Sequence, residues 1–194
     1  MNSDHTSRLI LASASPRRLE LLAQIGITPN EVRSADIDET PLATELPRQH
    51  AARLARGKAR EIVGHETETW ILGADTVVGV GRRILPKTED EATAKRCLEL
   101  LSGRAHRVFG GVAIISPDGS MGERMVETRV KFKRLSEQEM QNYLDCGEWQ
   151  GKAGGYAIQG RAAAFVAGIN GSYSNVVGLP LYETATLLFG LGWE

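Results

Sequence analysis

The stretch L-I-L-A-S-A-S-P-R-R, residues 9–18, decides how the rest of the chain is read. Its first four residues are apolar and of strand length, which reads as a short buried β-strand. Ser15 followed by Pro16 reads as a helix start. Serine suits the N-cap, and the fixed φ of proline suits the first helical position. Leu19, Leu22 and Ala23 then give an apolar face up to about Ile25, with Gly26 just past the helix end. A strand that runs straight into a helix is a building unit of α/β folds. Arg17 and Arg18 fit this reading badly. A helix N-terminus carries partial positive charge and free N–H groups, so each cation there is unfavourable by roughly 0.3–1 kcal/mol. The placement makes sense if an anion sits at this point. A phosphate would meet two guanidinium forks, backbone N–H groups and the hydroxyls of Ser13 and Ser15. The alternative is that both arginines face solvent or pair with nearby acids.

Working outward, segment 27–46 is rich in turn formers and acids, and a second helix is expected from about Pro47 to Val63. The apolar run 70–80 reads as a strand, and a third helix follows from about 89 to 101, starting after Thr88. Residues 107–115 are strand-like, S-P-D-G-S is a turn, and Val126, Thr128, Val130 and Phe132 alternate with charged residues. That period of two predicts a half-exposed antiparallel strand. Ser136 with Glu139 forms a capping box for a further helix. Segment 151–180 is glycine-rich and expected to be short-stranded. A last helix runs from about Leu181 to Phe189, ended by Gly190. Helices alternating with strands, plus a hairpin, predict a mixed α/β sheet, not a purely parallel one.

Two residues stand in the wrong company. In the helix 47–63, Ala51, Leu54, Lys58 and Ile62 are spaced three and four apart, so Lys58 lies within the apolar stripe. It must snorkel or meet a buried anion. Asp75 interrupts the apolar run I-L-G-A-D-T-V-V, and an ionised carboxylate is too costly to bury alone. A side-chain cation pairs with it, a metal does, or it works as a base. A strand-terminal aspartate capping a turn is the plainer alternative. Asp36, Asp38 and Glu39 form a loop cluster able to supply a metal ligand, although loop acids are usually just solvated. Lys87 follows Leu85-Pro86 in a loop.

Composition removes several function classes. The chain has 194 residues, 42% apolar and 24% charged, with a net charge of −1. That suits one globular domain over residues 1–194, with no basic footprint for nucleic acid. No apolar stretch approaches the ~18 residues of a membrane span, and the N-terminus has no apolar signal core, so the cytoplasm is expected. Cys97 and Cys146 are not in a C-x-x-C pair, so no disulfide framework or zinc site is indicated. Cys97 reads as a core thiol and His106 as structural. The P-loop, G-x-G-x-x-G, G-x-S-x-G and H-E-x-x-H motifs are absent, and His5, His50, His65 and His106 lie far apart in sequence.

L-A-S-A-S-P-R-R, G-A-D-T-V-V, L-S-G-R-A-H-R-V, Y-A-I-Q-G and I-N-G-S-Y-S-N-V-V-G-L-P-L occur in this order. Together they closely resemble the Maf family of nucleoside triphosphate pyrophosphatases, from about residue 9 to residue 189. The resemblance implies a mixed α/β fold with two lobes around a nucleotide cleft, similar to the inosine triphosphate pyrophosphatases. It also implies a homodimer and cleavage between the α- and β-phosphates with a divalent metal, Mg²⁺ or Mn²⁺. Ser13, Arg17, Arg18, Lys58 and Lys87 would hold the triphosphate. Asp75 would be the proton acceptor and, with Glu39, a metal ligand. Arg17, Thr76 and Gln159 match the branch acting on dTTP and UTP, and modified pyrimidine nucleotides fit the same branch. The branch acting on 7-methyl-GTP instead carries S-P-W-R-R, D-Q and an acid. The neutral amide of Gln159 both donates and accepts, which fits the edge of uracil or thymine. Rival readings are 7-methyl-GTP hydrolysis and a non-catalytic septation regulator. Thr88 after Lys87, Gly57 before Lys58 and Gly110 depart from the family pattern.

Overall fold

The structure, a computed structural model, describes residues 8–63 and 68–193. His5 and His65 lie outside them. Arg8–Ala12 form β1 and Pro16–Gln24 form α1. Gly26 takes φ +75°, and the N–H groups of Gly26 and Ile27 close the helix onto Ala23 O (3.1 Å) and Leu22 O (3.0 Å). The buried face of α1 is Arg18, Leu21 and Leu22, not the expected stripe ending on Ala23, which is exposed. Ser15 stands at the N-cap, but its hydroxyl makes no capping bond.

Glu31–Val32 form β2, Pro47–Val63 α2, Thr69–Val80 β3 and Arg83–Leu85 β4. Glu91–Leu101 form α3, capped by the side chain of Asp90. The helix therefore starts two residues later than a Thr88 cap implies, and Thr88 is fully buried in the preceding loop. Ala105–Ile115 (β5) and Met121–Phe132 (β6) form the expected hairpin, with Thr128, Val130 and Phe132 facing inward. Glu137–Asp145 form α4 with its capping box in place. The glycine-rich segment holds a 3₁₀ turn at Arg161–Phe165, a single strand β7 at Val166–Asn170 and the short helix α5 at Tyr173–Val177. It is mostly turns and helices, not short strands. The last helix, α6, spans Leu181–Gly190 and so includes Gly190. No helix among the described residues is long and apolar enough to cross a membrane.

The seven strands form one mixed sheet in the order β2-β1-β3-β5-β6-β7, with β4 also paired to β3. The β1 pairings are parallel and the rest antiparallel. Central strands are covered on both faces, so they read as continuous apolar runs. Leu9, Leu11, Leu72, Val112 and Ile114 pack toward α1 and α6, while Ile10, Ile71, Ala113 and Ile115 pack toward α2. A second core lies toward the other end of the hairpin, where Val108, Val130 and Phe132 meet α3, α4 and residues 149–165. Cys97 is buried there, as expected.

Two glycines set how close α2 comes to the sheet. A Cβ on Gly73 would lie 2.3 Å from Ala55 O and 2.6 Å from Ala59 N; one on Gly111 would lie 2.4 Å from Ala51 O. The alanine row 51, 55, 59 rides directly on these gaps. Gly57 is explained by the loop crossing the helix, since its Cβ would meet Ile37 Cδ1 at 3.2 Å.

His106 is structural, as read from sequence. Its Nε2 shares a 2.7 Å hydrogen bond with the Tyr156 hydroxyl, and its ring packs edge-on against Phe132 and Tyr156. Burial lowers its pKa from 6.5 to about 4. The folded state thus holds the neutral ring while the unfolded state protonates below pH 6.5. Its contribution is present above 6.5 and is lost as pH falls toward 4. Urea unfolding of wild type should lose on the order of 3 kcal/mol more than His106→Asn between pH 7 and pH 4. Equal losses in the two proteins would show that another group carries the slope.

Candidate active site

The site begins at a gap in the sheet. One edge of β3 pairs with β5 from Ile71 to Gly79. The other edge pairs with β1 as far as Gly73 and with β4 only from Val78 onward. Between them this edge of β3 has no paired strand among the described residues, and Asp75 and Thr76 sit in that interval. Parallel strand β1 ends here and the chain turns into α1, an arrangement that places ligand sites at the carboxyl end of a strand. A cleft of about 480 Å³ opens at the gap, a size suited to a small-molecule ligand. Ser13, Arg17, Arg18, Glu39, Lys58, Asp75, Thr76, Lys87 and Gln159 all line it. Residues from every part of the chain that sequence reading singled out thus meet in one place.

Lys58 resolves the anomaly of a lysine in an apolar stripe. Its Nζ lies 2.7 Å from Asp75 Oδ1 and 2.6 Å from Glu39 Oε1. Asp75 is 3% exposed, so this ammonium offsets the cost of burying its charge. Asp75 Oδ2 has no partner among the described residues. Glu39 also pairs with Lys87. Burial opposes the charge of Glu39, but hydrogen bonds from Lys58 and Lys87 outweigh it and lower the pKa to about 2. Asp36 and Asp38, grouped with Glu39 from sequence, are exposed instead. Arg53 holds the loop, donating to the carbonyls on either side of Glu39, Asp38 O (3.4 Å) and Thr40 O (2.9 Å), and to Glu45.

The two arginines behave differently. Arg18 is 7% exposed and fully engaged: Nε donates to Gly178 O (2.9 Å), Nη1 to Ser13 Oγ (2.7 Å) and Nη2 to Thr76 Oγ1 (3.3 Å). Burial lowers its pKa, the Asp75 charge opposes that, and Arg17 adds to it. Arg17 is half-buried and, among the described residues, donates only to Val177 O, at 3.3 Å. The Thr76 hydroxyl also donates to Gly178 O (3.2 Å), so it braces Arg18. Ser13 Oγ accepts from Arg18 and from Ser15 N, and its own proton is not donated to any described residue. The acceptors at 177 and 178 are fixed by Asn175, whose amide donates to Val108 O (3.2 Å) and Thr128 Oγ1 (3.0 Å). Gly110 makes room for that amide: a Cβ there would lie 1.8 Å from Asn175 Oδ1.

Sequence reading missed one cation. Lys152 lines the same cleft, from the loop that docks against Lys87. Its signal was its place four residues before the Y-A-I-Q-G motif, inside a segment read as glycine-rich and short-stranded. Thr88 explains its own departure from the family pattern here. Its N–H donates to Lys152 O (3.1 Å) and its hydroxyl to Trp149 O (2.6 Å), bonds that a proline could not make. The cleft therefore holds five cations, Arg17, Arg18, Lys58, Lys87 and Lys152, against two carboxylates, in a chain of net charge −1.

The profile described as "Maf-like protein" matches residues 8–191. The chain belongs to the Maf-like protein family. A Maf-like relative from Paramagnetospirillum magneticum, named dTTP/UTP pyrophosphatase, is 63% identical over 95% of this chain and 97% of its own. One of the same name from Caulobacter vibrioides is 60% identical over 96% of both chains. Among solved structures, a HAM1 protein from Coxiella burnetii matches with a TM-score of 0.51 and 16% identity, over 94% of this chain and 98% of that one. That likeness establishes a shared fold. Among the described residues of this Maf-like chain, no group of three or more His, Cys, Asp or Glu side chains is placed to hold a metal ion. Asp75 and Glu39 are the two acids at the cleft, and Lys58 Nζ already lies between them.

Proposed function

We propose that this Maf-like enzyme hydrolyses dTTP and UTP, and modified pyrimidine nucleotides of the same shape, to the monophosphate and pyrophosphate. The observation that carries the chemistry is the buried, lysine-paired Asp75 in a cleft with a surplus of positive charge. The names of the close relatives support the substrate. In the reaction, water attacks the α-phosphorus and its proton passes to the unpartnered Oδ2 of Asp75. The bond from the α-phosphorus to the oxygen bridging to the β-phosphate breaks, and pyrophosphate leaves. Arg17 and Arg18, at the start of α1, offset charge on the phosphates, and Lys58 and Lys87 hold the acids in place and add to that field. Ser13 donates its free proton to a phosphate oxygen. Thr76 keeps Arg18 aimed, and exposed Gln159 reads the pyrimidine edge.

Mg²⁺ or Mn²⁺ fits this donor set. Such ions keep several waters and bind through one or two carboxylates plus substrate phosphates, so Asp75 and Glu39 suffice without an all-protein cage. When bound, the ion neutralises phosphate charge. A homodimer in the cytoplasm belongs to the same reading, as the family resemblance implies.

Pyrophosphate release from UTP, dTTP and 7-methyl-GTP, with and without Mg²⁺, tests the proposal. We expect kcat/KM for UTP and dTTP to exceed that for 7-methyl-GTP by at least about 10-fold, as a hydrogen-bonded base edge allows. Preference for 7-methyl-GTP would overturn the substrate assignment, and no release from any of the three would overturn the reaction.

A further inference from the structure

We propose that Lys152 is a substrate-binding residue of this enzyme, its ammonium taking a phosphate of the nucleoside triphosphate from the wall formed by residues 150–153. The inference rests on the reading of the cleft as a triphosphate site. It follows from sorting the five cleft cations by what already engages them. Arg18 is committed to Gly178 O, Ser13 and Thr76. Lys58 is committed to Asp75 and Glu39, and Lys87 to Glu39. Lys152 and Arg17 have no carboxylate partner among the described residues. The Lys152 ammonium donates to one acceptor, Gln150 O at 3.0 Å, which leaves two of its three protons unused.

The loop is built to hold this lysine in place. Gly151 N donates to Thr88 O (2.8 Å), Thr88 N to Lys152 O (3.1 Å) and Gly154 N to Pro86 O (2.9 Å). Lys87 and Ala153 form an antiparallel bridge. Gly154 takes φ +67°, and a Cβ on it would lie 2.9 Å from Val78 Cγ1. A lysine that merely snorkelled to solvent would not need this many backbone ties. Burial lowers the pKa of Lys152, Arg17 adds to that, and Glu148 opposes it. Two cations that repel each other across one cleft are stabilised together by an anion placed between them.

The test uses the full chain with Lys152→Gln and Lys152→Arg. Steady-state hydrolysis of UTP should show KM raised about 10-fold or more in Lys152→Gln with kcat within about threefold of wild type, the mark of lost uniform binding. Lys152→Arg, which keeps the charge, should return KM to within about threefold. Calorimetric titration with inorganic tripolyphosphate in EDTA should show the same loss and rescue in Kd. Wild-type KM and Kd in Lys152→Gln would overturn the assignment and leave the cleft reading intact. A wild-type protein that neither hydrolyses UTP nor binds tripolyphosphate would overturn both. An equal KM for Lys152→Gln and Lys152→Arg, both raised, would also overturn it, because loop packing rather than charge would then be responsible.

Discussion

Asp75→Asn is expected to lower kcat for UTP by about 10²- to 10⁴-fold, the usual contribution of a positioned general base. The amide keeps the size and planar shape of the carboxylate but does not take a proton from water. The fold should survive, because Lys58 retains Glu39 at 2.6 Å when the charge at Asp75 is gone. Binding should survive too, since removing one negative charge from the cleft does not disfavour a triphosphate. Single-turnover hydrolysis and calorimetric binding of UTP to the variant separate the two. Lost turnover with retained binding is the expected pair. Turnover at the wild-type rate would remove Asp75 from the role of base.

The largest effect on stability is expected from Gly73→Ala. One methyl group would sit 2.3 Å from Ala55 O and 2.6 Å from Ala59 N, and both are helix backbone atoms that have no rotamer to change. The whole of α2 must move away from β3, which opens the core shared by Ile10, Ile71, Ala113 and Ile115. We expect a loss of about 3 kcal/mol or more, at the upper end for overpacking, and a Tm lower by roughly 6–12 °C. Gly168→Ala is the control. That residue lies on the exposed strand β7 with nothing within 4 Å of its added Cβ, and its Tm should stay within a few degrees of wild type. Activity should fall with Gly73→Ala even below its Tm, because α2 carries Lys58. A Gly73→Ala protein that melts with wild type would mean that the helix is not seated as close as the glycine allows.

Most of the fold was legible because its signals are local. The β1–α1 junction, the alternation in β6 and the capping box of α4 each lie within a dozen residues. Asp75 and Lys58 were legible for a different reason: each is a charge in apolar company, and burial makes such a charge conspicuous. What sequence did not show is what joined them. Nothing in the string says that Lys58 lies against Asp75, so Lys58 read as a phosphate ligand when its nearest partners are acids. By chemistry alone the loop acids looked equivalent; Glu39 is set apart from Asp36 and Asp38 by its pairing with Lys58 and Lys87 and by Arg53, which grips the carbonyls on either side of it. Lys152 was hidden because its meaning depends on the bridge of its neighbour Ala153 to Lys87, 66 positions earlier, with no periodicity to announce it. The helix α5 was missed because it is one turn and a half, short enough that its tertiary bonds through Asn175 decide it.

The bonds from Arg17 and Arg18 to the carbonyls of Val177 and Gly178 bear on the order in which the protein becomes active as it is made. The arginines leave the ribosome long before their acceptors, since each bond spans 160 positions. A nascent chain that has released β1 to β6 owns Asp75, Lys58 and Glu39 but lacks the Gly178 carbonyl that accepts from Arg18 Nε. Contacts this distant close late in folding, because the loop entropy must be met before they form. The phosphate end of the cleft is therefore finished only when α5 docks. Synthesis itself delays the hydrolase, and a fragment cut before residue 177 should be silent toward nucleotides however well its sheet has formed.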